Sequence, residues 1–206
     1  DGTAVYTRKA PADAALSAMK PLLAQGIKLV IVSGTTIENI AGGQIALALR
    51  LPVYLDSVGT VFTGVVLGPW FGLLPGLLSG LIMGVTVDIY SLYFAPVAMI
   101  TGFTAGLVFR RISLNRVSVF TAALAVTVPG TMVSSLINAV LFGGVTSSGS
   151  SVLVQLLMHT PLGLTGSIFV VQILTDYADR CLALIAVGAL LTAMGGELRQ
   201  KLAGGR

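Results

Sequence analysis

Charge in this chain is confined to a few short places, and almost everything between them is apolar. Ten of the twelve Lys/Arg residues fall in three groups: Arg8, Lys9, Lys20 and Lys28 near the start, Arg110, Arg111 and Arg116 in the middle, and Arg199, Lys201 and Arg206 at the end. Asp56, Asp88, Asp176 and Asp179 lie in or near the joints between these groups. Only 10% of the residues are charged, against about 25% in an ordinary soluble domain. A water-exposed surface cannot be assembled from such a sequence, whose mean hydropathy is +0.94. Basic clusters on alternate joints are the positive-inside signature of a polytopic membrane protein. The acids are then expected on the opposite face, where a ligand would arrive. The net charge of +4 reads as loops beside anionic lipid headgroups, not as a nucleic-acid footprint.

A membrane-crossing helix takes about 20 mostly apolar residues. Six segments are candidates: residues 26–49, 53–67, 70–87, 92–109, 117–142 and 176–198. The second and third are short and are separated only by Gly68-Pro69, a turn signal. Six crossings place both ends on one side, and the basic tails make that side the cytoplasm. The expected fold is an all-α integral membrane protein, a six-helix bundle with both termini cytoplasmic. Residues 1–25 are read as a cytoplasmic extension, with room for an interfacial helix over 12–23. Residues 26–198 are read as the membrane domain and residues 199–206 as a cytoplasmic tail. Residues 143–175 are read as a long outer connection that opens on a run rich in Gly and Ser. It either dips back toward the membrane as a lid or stays an external loop.

Gly68, Gly72, Gly76, Gly80 and Gly84 recur at spacing four, which on a helix makes a stripe without side chains. In lipid such a stripe lets helix backbones approach closely. It serves packing inside the bundle or a surface for another membrane subunit. Pro129-Gly130 is expected to kink the fifth span. Glu38 falls near the middle of the first span, where a charge costs roughly 2.5–3.5 kcal/mol. It therefore faces a hydrogen-bond partner, a ligand or a subunit interface. Asp176-Tyr177-Ala178-Asp179-Arg180 opens the sixth span, and the spacing of Asp176 and Arg180 lets them pair on one helical face. That group is either an internal ion pair or the lining of a polar cavity near the outer surface. Asp56 stands beside Tyr54, and Asp88 beside Tyr90 and Tyr93. Carboxylates hold an amine or hydroxyl and aromatic faces stack on a ring, a combination suited to a small ring-containing nutrient. Trp70 reads as an anchor at the cytoplasmic interface.

Several chemistries find no support. The lone Cys181 and lone His159 cannot make a zinc cluster. There is no phosphate-binding P-loop and no Gly-x-Ser-x-Gly nucleophile elbow. No cofactor and no metal are expected, and any ATP hydrolysis belongs to another chain. Asp1-Gly2-Thr3 followed by the strand-like run Lys28-Leu29-Val30-Ile31-Val32-Ser33-Gly34 resembles haloacid-dehalogenase phosphatases. The nucleophilic Asp of that family would lie before Asp1, and a membrane pattern follows instead.

The run Leu51-Pro52-Val53-Tyr54-Leu55-Asp56-Ser57-Val58-Gly59-Thr60 resembles the substrate-binding S components of energy-coupling factor vitamin transporters. So do Leu67-Gly68-Pro69-Trp70-Phe71-Gly72 with its glycine stripe, and Tyr93-Phe94-Ala95-Pro96-Val97. The resemblance implies a six-helix bundle in a prokaryotic-type plasma membrane. That bundle captures a vitamin-like small molecule on the outer side and is not itself an enzyme. It implies docking on a transmembrane coupling protein served by two ATPase subunits. The family's small-residue docking patch on the first helix finds its nearest match in Gly42-x-x-x-Ala46. By position, the expected substrate-binding residues are Tyr54, Asp56, Asp88, Tyr90, Asn138, Gln172, Asp176 and Arg180. A second reading is a ligand-sensing input module of a membrane signalling protein, an architecture that some receptors share.

Overall fold

The apolar runs fold as helices, because a helix satisfies its own backbone N–H and C=O groups and lipid offers them no other partner. A computed structural model describes residues 9–49, 56–111, 118–143 and 150–193. In chain order its helices are α1 (Lys9–Ala48), α2 (Val58–Leu67), α3 (Pro69–Thr86), α4 (Ile89–Val108), α5 (Ser118–Ile137), α6 (Ser150–Leu157) and α7 (Gly163–Ala193). A π-helical turn, Asn138–Phe142, continues α5, whose helical path runs through Pro129. Among the described residues, three helices are long and apolar enough to cross a membrane: α3, α4, and α5 with its π turn. Only 39%, 33% and 33% of their apolar windows are buried in the molecule. Their outward faces carry Leu78, Leu81, Leu107, Leu124 and Leu136, side chains that water would not accommodate and lipid does. The pattern is that of a multi-pass, all-helical membrane protein.

Three boundaries differ from the sequence reading. Residues 12–23 are not a separate interfacial helix but part of α1, whose 40 residues reach about 60 Å. The short second span is shorter still. Its helix, α2, has 10 residues, about 15 Å, half of a hydrocarbon core about 30 Å thick. Finally, residues 163–175 are not part of a connection; they are the first turns of α7, which runs unbroken for 31 residues. Charge marked Asp176 as a helix start. The backbone break actually lies earlier, at Pro161 and at Gly163, whose φ is +64°.

The short helix is the centre of the bundle. It packs against α1, α3, α4 and α7, and Gly59, Thr60, Val61, Thr63, Gly64, Val65 and Val66 are all buried. Gly68 ends it at φ +99°, donating its N–H to Gly64 O at 3.0 Å, and Pro69 opens α3 at once. Proline fits there because the first N–H of a helix has no intrahelical partner. The chain thus folds back sharply, and Gly64, Gly72, Gly102 and Gly106 meet where α2, α3 and α4 cross. A Cβ on Gly72 would lie 2.8 Å from Gly64 Cα and 2.7 Å from the Gly102 carbonyl carbon. Farther along, a Cβ on Gly80 would lie 2.5 Å from Ala95 Cβ, and one on Gly84 2.5 Å from Leu92 Cβ. The glycine stripe therefore seats α4 within this chain, and α3–α4 is the most extensive helix contact in the molecule.

Polar contacts join α1 to α2. Thr35 Oγ1 and Thr63 Oγ1 lie 2.9 Å apart, Asn39 Nδ2 donates to Thr60 Oγ1 at 2.6 Å, and Gly59 N–H donates to Glu38 Oε2 at 2.7 Å. Glu38 thereby holds one of the amides that every helix leaves unpaired at its N-terminus. A carboxylate there also meets the positive end of the helix dipole. At the opposite end of α2, Lys28 lies 5.0 Å over the Phe71 ring, and Arg110 reaches the Gly68 turn. Trp70, 71% exposed, packs edge-on to Phe103 at 5.3 Å. Bases and tryptophan thus gather at one end of the bundle. A core of small side chains lies toward that end, with Val61, Val65, Ala105, Ala122, Ala123, Val126, Ala183, Leu184 and Val187 in contact.

Gly72→Ala is expected to lower stability in detergent by about 1–3 kcal/mol, the range for overpacking a filled site. Gly34→Ala, which meets nothing within 4 Å, is expected to change it by no more than about 1 kcal/mol. Thermal unfolding of both variants checks this; equal melting would remove the close-approach account.

Candidate functional site

A helix that starts inside an apolar layer leaves polar backbone behind it, and such backbone is tolerated only against protein or a wet cavity. A cavity among the described residues lies there. Its volume is about 120 Å³, room for on the order of ten waters or one small ring compound. Asp56 and Ser57, just ahead of α2, form part of its wall. Asn39 and Gly43 come from α1, Thr60 from α2, Gly76, Ser79 and Gly80 from α3, and Tyr90, Phe94 and Thr101 from α4. Ser134 of α5 and Ser150 of α6 add hydroxyls, and Gln172, Asp176, Asp179 and Arg180 of α7 complete it. The α3 glycines that pack tightly against α4 also leave this space open beside them.

Charge in the cavity is tightly partnered on one side. Arg180 Nη1 pairs with Asp179 Oδ2, and Ser57 Oγ donates to the same oxygen at 2.5 Å. Arg180 is 8% and Asp179 4% exposed. Asp176 accepts from Thr131 Oγ1 at 2.7 Å and from Ser134 Oγ at 3.3 Å. The expected pair of Asp176 with Arg180 is therefore not the ion pair that forms. Asp176 is turned to the hydroxyls of α5, and the long Arg180 side chain reaches its sequence neighbour instead. A helix fixes spacing, but the helix next to it decides which spacing is used.

An aromatic group stands at the other side. The π turn carries Phe142 onto α4, with ring centroids 4.8 Å from Tyr90, 5.4 Å from Tyr93 and 6.0 Å from Phe94. Only Tyr90 and Phe94 of this group line the cavity. The short α6 packs on α7 through Val154, against Ile168 and Val171, and this brings Ser150 to the cavity wall.

Five of the eight expected residues thus converge: Asp56, Tyr90, Gln172, Asp176 and Arg180. Tyr54 lies outside the described residues. Asp88 does not line the cavity. It occupies the N-cap position of α4, where its carboxylate accepts from Ser91 Oγ at 3.3 Å. Asn138 is buried at the start of the π turn, also away from the lining. Asp56, Asp176 and Asp179 line one cavity. Of the small pair on α1, Ala46 is 2% exposed and Gly42 half-buried. Beside them a Cβ on Gly43 would lie 3.3 Å from Met83. This side of α1 therefore packs on the chain's own helices, and a partner reaches Ala46 only by displacing that contact.

Sequence reasoning missed the hydroxyl lining, in particular Ser57, Thr60, Ser79, Thr101, Ser134 and Thr175. Their signal is Ser and Thr within apolar spans, common residues that residue order alone does not sort by face. Among the described residues, no group of three or more His, Cys, Asp or Glu is placed to hold a metal ion. What the cavity offers is hydrogen-bond acceptors, hydroxyls and two aromatic walls. These are means of binding and orienting a small molecule. Family models, curated proteins and solved structures contain no match to this chain.

Arg180→Ala leaves the buried Asp179 without its cation, so it is expected to destabilise the protein by about 3–5 kcal/mol. Replacing both residues by Leu is expected to recover most of that loss. Melting temperatures of the single and double variants decide it; an undisturbed single variant would mean that the pair is not held in a dry site.

Proposed function

We propose that this chain is the membrane-embedded substrate-capture subunit of an ATP-driven importer for a vitamin-like nutrient, similar to the S components of energy-coupling factor transporters. The observation that carries this reading is the internal cavity, at which five residues chosen for solute binding converge from different parts of the sequence. Ligand sites of this kind are concave, largely apolar and fitted with a few convergent polar groups. Between the helices of a membrane bundle, polar and ionisable side chains mark functional sites by default. In this reading the chain crosses the plasma membrane six times, with α2 supplying about half of the second crossing, and the basic end with Lys28, Arg110 and Trp70 faces the cytoplasm. The cavity then lies in the outer half, where α6 adds Ser150 to its wall. Hydrolysis of ATP belongs to partner subunits, to which the chain couples through a transmembrane protein.

Native mass spectrometry of the detergent-purified chain is expected to show a stoichiometric small-molecule adduct, or to acquire one from a vitamin mixture. Gln172→Ala and Tyr90→Ala are each expected to weaken its retention by at least about tenfold, the equivalent of 1.4 kcal/mol. Lipid adducts alone, under both conditions, would count against solute capture.

Orientation has its own test. In a Cys181→Ala background, Arg111→Cys sits on the exposed joint after α4. A membrane-impermeant maleimide is expected to label it in inside-out vesicles and not in right-side-out ones. The reverse pattern would invert the topology.

A further inference from the structure

We infer that the captured solute is an organic cation, a small ring-bearing amine in its protonated form. This rests on the solute-capture reading and names the chemistry of its ligand. Four charged groups line the cavity: Asp56, Asp176, Asp179 and Arg180. With all of them ionised, three carboxylates and one guanidinium leave a formal charge of −3 + 1 = −2. The guanidinium is already engaged with Asp179, and that pair is neutral by itself. One guanidinium is thus shared among three carboxylates, since Arg180 also acts on Asp56 and Asp176, and the excess negative charge falls on those two. The hydroxyls of Thr131 and Ser134 bond to Asp176 but bring no positive charge. Lys28 and Arg110 are at the other end of the bundle, beside Phe71 and Gly68. Buried carboxylates without a cation carry a large desolvation penalty, which is relieved by a proton or by a cation; a cationic guest supplies the second.

Two further features point to the same guest. Asn39 lines the cavity, is 1% exposed, and its Oδ1 has no hydrogen-bond partner among the described residues. Buried polar atoms are nearly always satisfied, and this acceptor, enclosed beside the cavity, meets an ammonium N–H when the Asn39 side chain turns toward the guest. Tyr90 and Phe94 present rings to the same space, and aromatic faces attract cations within about 6 Å of the ring centroid. Phe142 buttresses both rings. A bare metal ion fits poorly, because the described residues hold no cluster of three metal-ligating side chains. An anion would meet only a guanidinium that is already paired. The carboxylates on one side and the rings on the other fit a guest with a charged end and a flat body.

The test uses single-ring compounds in matched triplets, each an amine, an alcohol and a carboxylate on one skeleton, such as benzylamine, benzyl alcohol and benzoate, with pyridine and imidazole counterparts. The full chain in detergent is incubated with each triplet, and binding is read by native mass spectrometry and thermal shift. Amines are expected to bind at least about tenfold more tightly than their alcohol and carboxylate counterparts. That preference is expected to collapse in Asp176→Asn and in Asp56→Asn, with elution profile and melting of the unliganded protein as the check on folding. The wild-type preference stands as a readout even if one variant fails to fold. Equal or tighter binding of alcohols or carboxylates would overturn the cationic ligand and leave solute capture standing, as would an amine preference undiminished in both variants. Failure of every compound to bind the wild-type chain would count against solute capture itself, and the ligand class would fall with it.

Discussion

A helix half as long as the membrane is thick governs this molecule. The 10 residues of α2 rise from the Gly68 turn and stop inside the bundle. Wherever a helix stops, amides are left without intrahelical partners, and in an apolar layer only protein or enclosed water can serve them. The chain answers with side chains from other helices. Glu38 of α1 receives the Gly59 amide, and Asp179 of α7 receives the Ser57 hydroxyl. Each places a carboxylate at a depth where an unpartnered one would not persist. The cavity forms at this broken end, lined by the groups that the break requires.

The two ends of the bundle are built on opposite principles. Toward the Gly68 turn, glycine and alanine bring α2, α3 and α4 into backbone contact, and the small core of Val61, Ala105, Ala123 and Ala183 leaves no space. Dispersion contacts dominate there, since lipid gives helices no hydrophobic reason to associate. Toward the other end, α2 is missing, and the glycines of α3 have no helix to receive them on the cavity side. Hydroxyls, carboxylates and rings take over. A rigid half supports a hollow half, the arrangement by which binding groups are held in place before a guest arrives.

Much of this was readable from residue order alone. Apolar length gave the helices α3, α4 and α5, and spacing-four glycine gave the α3–α4 contact. Gly68-Pro69 marked the turn that in the structure has φ +99°. The misreadings share one cause. Charge at Asp176 reads as a helix boundary, whereas α7 carries charge in its interior. Asp176 and Arg180 were paired by helical spacing, whereas Thr131 and Ser134 from α5 claim the carboxylate. Asp88 sits among tyrosines in the sequence just as Asp56 does, yet one starts a helix and the other lines the cavity. Local order does not distinguish them.

The sequence by itself determined that this chain must live in lipid and be helical, because its few charges cannot make a water-facing surface. It also determined where backbones could touch, because only glycine lacks the side chain that forbids it. Tertiary structure alone decided that Asp56 joins Asp176, Asp179 and Arg180 at one cavity. Those residues lie about 120 positions apart in the chain, and their meeting depends on how α2 stands between α1 and α7. Helical periodicity tells which residues share a face. Which face meets which is settled by packing between helices, where hydroxyls compete for each carboxylate and the better-placed partner prevails.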